Sequence, residues 1–189
     1  MDPRRALGFT ALGVLLGAAL GLVLWRGIPG ELASPEPPVG MPDFTPVVAP
    51  LVGALAPDFS ARTLDGPSIR LSEQRGQAVV LNFWATWCGP CRAEMPLLDD
   101  RAKSLAGQGL LVLGANFDEP EETVRAFRDE LGLSFPLLLD PRGEIQSLYR
   151  IVGYPTTYFI DADGVIRALH LGVLDEAQLD DYLADLGLG

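Results

Sequence analysis

Two cysteines three positions apart, Cys88 and Cys91, constrain the fold of this chain most. The run before them, Ala78–Trp84 (AVVLNFW), is short, apolar and rich in β-formers, which predicts a buried strand. The segment after them, Pro90–Ala106, predicts a helix with a proline in its first turn, where the missing N–H is harmless. Free N–H groups and the helix dipole favour a thiolate at such a position. The pattern therefore predicts a strand–cysteine–helix unit with a reactive first cysteine.

The two cysteines have different predicted roles. Cys88 is the expected nucleophile, and Cys91, one turn into the helix, is placed to attack a mixed disulfide and release the partner. Gly89 permits the tight turn between them, and Pro90 fixes the first helical turn. A structural disulfide closing so small a ring would constrain the unfolded chain little, and a zinc site needs about four ligands. The chain has only two cysteines and one histidine, so we expect redox chemistry without metal or cofactor.

The remainder of the chain alternates apolar runs with amphipathic segments. Apolar runs predict strands, and apolar stripes at helical spacing predict helices. The predicted strands are Leu110–Ala115, Leu137–Leu139, Thr156–Ile160 and Val165–Leu171, and the predicted helices are Glu119–Leu131, Glu144–Tyr149 and Asp175–Leu186. The turn Asp161–Gly164 (DADG) joins the last two strands as a hairpin. This order predicts an α/β sheet with helices on its faces.

The first residues form a segment of membrane-spanning length. Ala6–Trp25 contains twenty residues without a charge, which as a helix would measure ~30 Å, the thickness of the hydrocarbon core. Arg4 and Arg5 precede it and Arg26 follows it, so the positive-inside rule places the N-terminus in the cytoplasm. The alternative is a cleaved signal peptide, whose apolar region is normally shorter. Both interpretations place the rest of the chain outside the cytoplasm.

Composition divides the chain into three parts. Residues 1–26 are the predicted membrane anchor, and residues 27–50 are a linker with seven prolines, which is semi-extended. Residues 51–189 have the composition of a globular catalytic domain. The formal charge of -11 and the absence of a basic stripe argue against nucleic acid as a partner.

Several motifs together resemble the TlpA/ResA-like thiol–disulfide oxidoreductases, membrane-anchored relatives of thioredoxin. The main motif is Asn82–Pro96 (NFWATWCGPCRAEMP), and the others are Ala56–Phe59 (APDF), Leu64–Gly66 (LDG) and Gly153–Thr156 (GYPT). The likeness runs from about Gly53 to Leu186. It implies a thioredoxin-like fold with a central mixed sheet, and the segment 114–136 resembles the strand and helix that the family inserts into that fold.

The resemblance also implies a substrate site beside the cysteines. The resemblance implies that the Tyr154–Pro155 bond is cis and faces Cys88. It also implies that the backbone up to Thr156 pairs with an extended substrate peptide. Trp87 is expected on the rim that faces the substrate, together with Gly89 and Pro90 of the motif.

The position of an acidic residue distinguishes this motif from that of thioredoxin. Thioredoxin has an aspartate six residues before its first cysteine, where this chain has Asn82, which cannot titrate. Glu94 matches a glutamate of the TlpA/ResA-like proteins, and helical side chains lean toward the N-terminus, so it can point toward Cys91. We expect Glu94 to accept the Cys91 proton; the alternative is a solvated carboxylate that favours the helix dipole.

The other titratable residues predict no catalytic role. His170 has no cysteine at ligand spacing, and a lone histidine on a terminal strand is expected at the surface or in the core. The acids Asp118, Glu119, Glu121 and Glu122 are expected to form a solvated helix start and not a metal site.

The resemblance implies a membrane-anchored enzyme whose domain lies on the extracytoplasmic, periplasmic side. Its expected partners are a transmembrane thiol reductase as electron donor and disulfide-containing exported proteins, such as apocytochrome c in cytochrome c maturation or copper-delivery proteins. The Gly-Pro pair between the cysteines, shared with reducing thioredoxins, favours a reductant.

Three alternatives to a reductant use the same residues differently. An oxidase or isomerase would run the exchange in the other direction. A peroxiredoxin also opens with a motif like Ala56–Phe59, but it needs a threonine three residues before the reactive cysteine, where Ala85 stands. A copper chaperone of related fold would space its cysteines by three residues instead of two.

Overall fold

The computed structural model describes residues 46–189, and the predicted anchor and most of the linker lie outside this range. Within residues 46–189 no helix combines the length and the apolar character needed to cross a bilayer. Residues 47–50, at the end of the predicted linker, lie against the domain, because Val48 forms a β-bridge with Leu55.

Five strands form one mixed sheet in the order β5-β4-β3-β6-β7. They are β3 (Ala78–Trp84), β4 (Leu110–Phe117), β5 (Leu137–Asp140), β6 (Thr156–Ile160) and β7 (Ile166–Leu171). Strands β3, β4 and β5 are parallel, and β6 and β7 run antiparallel to their neighbours. A separate hairpin of β1 (Ser60–Arg62) and β2 (Ser68–Arg70) precedes the sheet. The predicted strands and their order along the chain are confirmed, whereas β1 and β2 have no counterpart in the prediction.

Four helices cover the sheet: α1 (Gly89–Leu105), α2 (Glu121–Leu131), α3 (Glu144–Leu148) and α4 (Glu176–Asp185). Asp175 caps α4 with a reciprocal capping box to Gln178, an arrangement that stabilises a helix start by about 1 kcal/mol. Two short 3-10 turns, Leu71–Gln74 and Ala106–Gln108, complete the elements of residues 46–189. Each helix predicted within residues 46–189 is present, with ends that differ by at most two residues.

The central strand β3 is buried along its whole length because the sheet carries a core on each face. Val80 and Trp84 pack with residues of α1, α2 and α4 on one face. Leu81 and Phe83 pack on the other face with residues of α3 and the segment that contains β1. Alternate residues of β3 thus serve two cores, and Asn82 lies on the same face as Val80 and Trp84.

The sheet topology brings the ends of three strands together at one end of the sheet. Trp84 at the carboxyl end of β3 pairs with Asn116 near the carboxyl end of β4. Phe83 pairs with Thr156, the first residue of the antiparallel strand β6. The segments that follow Trp84 and Asn116, and the one that precedes Thr156, therefore meet at the end of the sheet where the cysteines lie.

Candidate active site

Cys88 and Cys91 lie where the sequence pattern predicts them, between β3 and α1, and they are joined by a disulfide. Cys88 is the N-cap of α1, and the N–H of Cys91 donates a hydrogen bond to its Sγ at 3.2 Å. Gly89 and Pro90 form the exposed first turn of the helix. The same N–H and the helix dipole would stabilise a thiolate on Cys88 in the reduced chain.

The two sulfurs differ in access. Cys88 retains 5% of its surface, whereas Cys91 is fully buried in the core on the α1 face of the sheet. An external disulfide can therefore reach Cys88, and Cys91 is positioned to react with a group already bound to Cys88. This difference matches the predicted division between attacking and resolving cysteine.

The loop before β6 contains the cis peptide bond that the family resemblance implies. The Tyr154–Pro155 bond is cis, and Pro155 O accepts a hydrogen bond from Gly172 N at 2.9 Å. Pro155 and Thr156 are buried, and the Thr156 hydroxyl donates to Gly153 O at 2.8 Å. The side chain of Thr156 therefore stabilises the loop through this hydrogen bond and does not face solvent.

Trp87 and Tyr154 form the exposed part of the predicted substrate rim. The two rings meet edge to face with centroids 5.6 Å apart, and Trp87 is 67% exposed. The Tyr154 ring also lies 6.0 Å from the Phe117 ring, and its hydroxyl donates to the Gln146 side chain. These contacts bring together residues from the cysteine loop, the cis-proline loop and the end of β4.

Val152 was missed by the sequence reasoning. It is 92% exposed and lies two residues before Tyr154 in the cis-proline loop. Large apolar side chains this exposed are common at surfaces that bind other proteins. Its position in the cis-proline segment was the available signal, but the sequence reasoning gave weight only to the GYPT residues that follow it.

Glu94 is buried, with 1% of its surface exposed, so its alternative interpretation as a solvated carboxylate is wrong. Its Oε1 accepts from Asn82 Nδ2 at 2.8 Å, and its Oε2 accepts from Leu174 N at 2.8 Å. Burial raises the pKa of Glu94 to about 7, although both hydrogen bonds act in the opposite direction. This carboxyl can therefore gain or lose a proton near neutral pH.

Asn82 connects Glu94 to the cis-proline loop. Its Nδ2 donates to Glu94 and also to Thr157 Oγ1 at 2.9 Å, and all three side chains are buried. Thr157 follows Pro155 by two residues. The buried polar network therefore spans β3, α1 and β6, and it reaches the loop before α4 through Leu174.

Glu119 does not form part of a solvated helix start, which corrects the sequence expectation. Its carboxylate accepts from Thr86 N and from Asn116 Nδ2, each at 2.7 Å, and also from the Thr86 hydroxyl. Thr86 lies two residues before Cys88. This contact was not predictable from hydrophobic periodicity, since Glu119 stands in a loop.

His170 and Trp84 each pack against an aromatic side chain of a helix that covers the sheet. The His170 ring lies against Tyr182 of α4, with Nδ1 3.3 Å from the Tyr182 hydroxyl and Nε2 3.2 Å from Val173 O. Trp84 is fully buried and lies against Phe127 of α2, with centroids 4.7 Å apart. Neither ring takes part in the surface next to Cys88.

Comparisons with known proteins identify the family of this chain. Residues 52–169 match the AhpC/TSA family. The chain is 43% identical over 134 residues to the thioredoxin-like protein YneN of Bacillus subtilis, covering 69% of this chain and 78% of that protein. It is 32% identical to the thiol–disulfide oxidoreductase ResA of Geobacillus kaustophilus, over 97% of each chain.

A solved structure extends the comparison to three dimensions. A secreted Mycobacterium tuberculosis disulfide oxidoreductase superposes with a TM-score of 0.62 at 27% identity, over 68% of this chain and 96% of that chain. That solved chain thus consists of little more than the domain described here. By the AhpC/TSA match over more than half its length and the similarity to ResA over nearly all of it, this chain belongs to the ResA-like thiol–disulfide oxidoreductases of the thioredoxin superfamily.

Proposed function

We propose that this enzyme is a membrane-tethered reductant of disulfides in exported proteins, acting outside the cytoplasm through Cys88 and Cys91. The observation that carries the proposal is the placement of Cys88 at the N-cap of α1, with Cys91 buried one turn further. This arrangement favours a reactive thiolate at the surface and a protected second thiol.

In the proposed reaction the reduced enzyme transfers two electrons to its target. The Cys88 thiolate attacks one sulfur of the target disulfide, the target S–S bond breaks, and the leaving thiolate takes a proton. The Cys91 thiol then loses its proton and attacks Cys88 Sγ, which releases the second target thiol. The enzyme ends as the Cys88–Cys91 disulfide, and the target ends as a dithiol.

Glu94 is the proposed acceptor of the Cys91 proton. It lies three residues after Cys91 on α1, is buried as Cys91 is, and has its pKa raised to about 7 by burial. A base with a pKa near the working pH is favourable for this transfer. Asn82 and Leu174 N hold both carboxylate oxygens in place.

The surface around Trp87 and Tyr154 is the proposed substrate site. Gly89, Pro90 and Trp87 are exposed beside Cys88, and the Tyr154 ring is in contact with the Trp87 ring. An extended peptide next to Pro155 would place its cysteine at Cys88 and its neighbouring side chains on this surface. Buried Thr156 would act by holding the loop and not by side-chain contact.

The location outside the cytoplasm is supported by sequence and by relatives. The uncharged segment Ala6–Trp25 has spanning length, and the match to the Geobacillus protein covers 97% of this chain and so includes most of that segment. The Mycobacterium tuberculosis protein of similar fold is a secreted oxidoreductase. A transmembrane thiol reductase is the proposed electron donor, and apocytochrome c or copper-delivery proteins are the proposed targets.

A peroxidase is the alternative function, because the matching family is the AhpC/TSA family. The position three residues before Cys88 holds Ala85, which has no hydroxyl to bind a peroxide and is fully buried. Cys91 is bonded to Cys88 within one helical turn. These residues favour dithiol exchange over peroxidase activity.

The reduction potential of the full-length chain in detergent micelles tests the proposed direction. The chain is equilibrated in graded thiol–disulfide buffers, tryptophan fluorescence follows the redox state, and thiol mass-tagging confirms the end states. A potential below about -230 mV supports a reductant, because reducing thioredoxins lie in that range. A value above about -180 mV contradicts the proposal and supports the oxidase or isomerase alternative.

A further inference from the structure

A single carboxylate fastens the loop that carries the attacking cysteine. Glu119 accepts three hydrogen bonds, two from the backbone N–H and hydroxyl of Thr86 and one from Asn116 Nδ2. Asn116 is itself fixed, since it is buried in β4 and pairs with Trp84 of β3. Glu119 thus ties the segment after β3 to the segment after β4.

This loop is short, and among residues 46–189 it makes one further backbone hydrogen bond. Only residues 85–87 separate the end of β3 from Cys88, and Cys88 N donates to Ala85 O at 3.2 Å. Trp87, between Thr86 and Cys88, is exposed, and among the aromatic rings of residues 46–189 it contacts that of Tyr154. The position of Thr86 therefore sets the direction from which the chain enters the N-cap of α1.

We infer that Glu119 is a positioning residue for thiol–disulfide exchange, holding the loop at Thr86 so that Cys88 caps α1 and Trp87 meets Tyr154. It acts through Thr86 and does not touch the reacting sulfurs. The inference rests on the exchange activity of the family and holds whether the enzyme works as a reductant or as an oxidase.

The geometric and electrostatic effects of Glu119 can be separated by two substitutions. In Glu119→Gln the amide oxygen can accept from Thr86 N and Asn116, and the amide nitrogen can donate to the Thr86 hydroxyl. The three hydrogen bonds therefore remain while the negative charge is lost. In Glu119→Ala the hydrogen bonds and the charge are both lost, so the difference between the two variants measures the effect of the hydrogen bonds alone.

The test is the pH profile of Cys88 alkylation by iodoacetamide in the fully reduced full-length chain, together with the rate of reduction of a peptide disulfide. In Glu119→Ala the loosened loop moves Cys88 from the N-cap, so the thiolate loses the Cys91 N–H and the helix dipole. We expect its alkylation midpoint to lie about one pH unit above that of Glu119→Gln, a tenfold change in the ionisation equilibrium. The peptide reaction should slow by about tenfold in Glu119→Ala and stay within about twofold in Glu119→Gln.

Glu122→Ala is the matched control, because Glu122 is an exposed acid in the first turn of α2, the helix that follows the Glu119 loop. It should leave the midpoint and the rate unchanged. Equal alkylation midpoints in Glu119→Ala and Glu119→Gln, with both chains folded by circular dichroism, would overturn the inference, since a residue that only stabilises its own loop changes the melting temperature alone.

A second variant keeps the test decisive if Glu119→Ala does not fold. Thr86→Val removes the hydroxyl that donates to Glu119 and keeps the side-chain size. We expect the same upward direction of the alkylation midpoint with about a threefold slower peptide reaction. Wild-type behaviour of Thr86→Val would then refute the positioning role.

Discussion

Substitution of Glu94 by glutamine should change how the stability of the domain depends on pH. Burial raises the pKa of Glu94 from 4.5 to about 7. Between these values the folded chain keeps the proton that the unfolded chain has lost, so the folded state binds more protons. Stability must then fall as pH rises through this window, and the penalty is fully present above about pH 7.

The size of the effect follows from the two pKa values. With 4.5 for the unfolded chain and about 7 for the folded chain, the Glu94 carboxyl lowers the free energy of unfolding by ~2.5 kcal/mol between about pH 5 and about pH 8. The side chain of Glu94→Gln cannot titrate, so the variant lacks this pH-dependent decrease in the free energy of unfolding. Its amide also places a donor toward Asn82 or toward Leu174 N, which costs about 1–3 kcal/mol at every pH.

The assay is urea unfolding of oxidised residues 46–189 at these two pH values, for the wild type and for Glu94→Gln. The stability of the variant relative to wild type should improve by ~2.5 kcal/mol from the lower to the higher pH. The control Glu122→Gln removes an exposed carboxyl and should follow the wild type. Parallel pH dependence of Glu94→Gln and wild type would refute the reasoning, because it would mean that Glu94 ionises at its ordinary pH despite its burial.

Three further predictions concern catalysis and packing. In Glu94→Gln, resolution of the mixed disulfide should slow by about tenfold at neutral pH, as followed by stopped-flow fluorescence, whereas an unchanged rate from about pH 6 to about pH 9 would remove its role as proton acceptor. Gly114→Ala should lower stability by about 1–3 kcal/mol in urea unfolding, because the added Cβ would lie 2.9 Å from the nearest side chain, while Gly107→Ala, with open space around it, should not. Trp87→Ala should reduce kcat/KM for a peptide disulfide by about tenfold and leave the reaction with a small-molecule disulfide nearly unchanged, since its exposed ring contacts the rim residue Tyr154; equal losses with both substrates would contradict a substrate-binding role.

The sheet and its helices were predictable because their signals are local and strong. Buried strands such as Ala78–Trp84 are continuous apolar runs bounded by turn residues, and α2 shows apolar residues at helical spacing. The hairpin of β1 and β2 was missed because each strand has only three residues. A run so short does not establish an alternating pattern, and its position depends on packing against the rest of the domain.

The active site was predictable where it follows from chain position. Cys88 at the N-cap and Cys91 one turn later depend only on the boundary between a strand and a helix. Trp87 at the surface and a cis bond before Pro155 agree with the family resemblance. The partners of these residues, such as Gln146 for the Tyr154 hydroxyl, come from distant elements and had no signal in the sequence.

The two glutamates near the cysteines show where sequence reasoning ends. Glu94 lies three residues after Cys91 on one helix, so helical geometry alone indicates that both face the sheet, and the structure buries both. Glu119 belongs to a loop, and its contact with Thr86 exists because β3 and β4 are parallel neighbours in a register that pairs Trp84 with Asn116. A shift of that register would place a different side chain beside Thr86. The support of the reactive loop is therefore a property of strand pairing, which the residues around the cysteines do not contain.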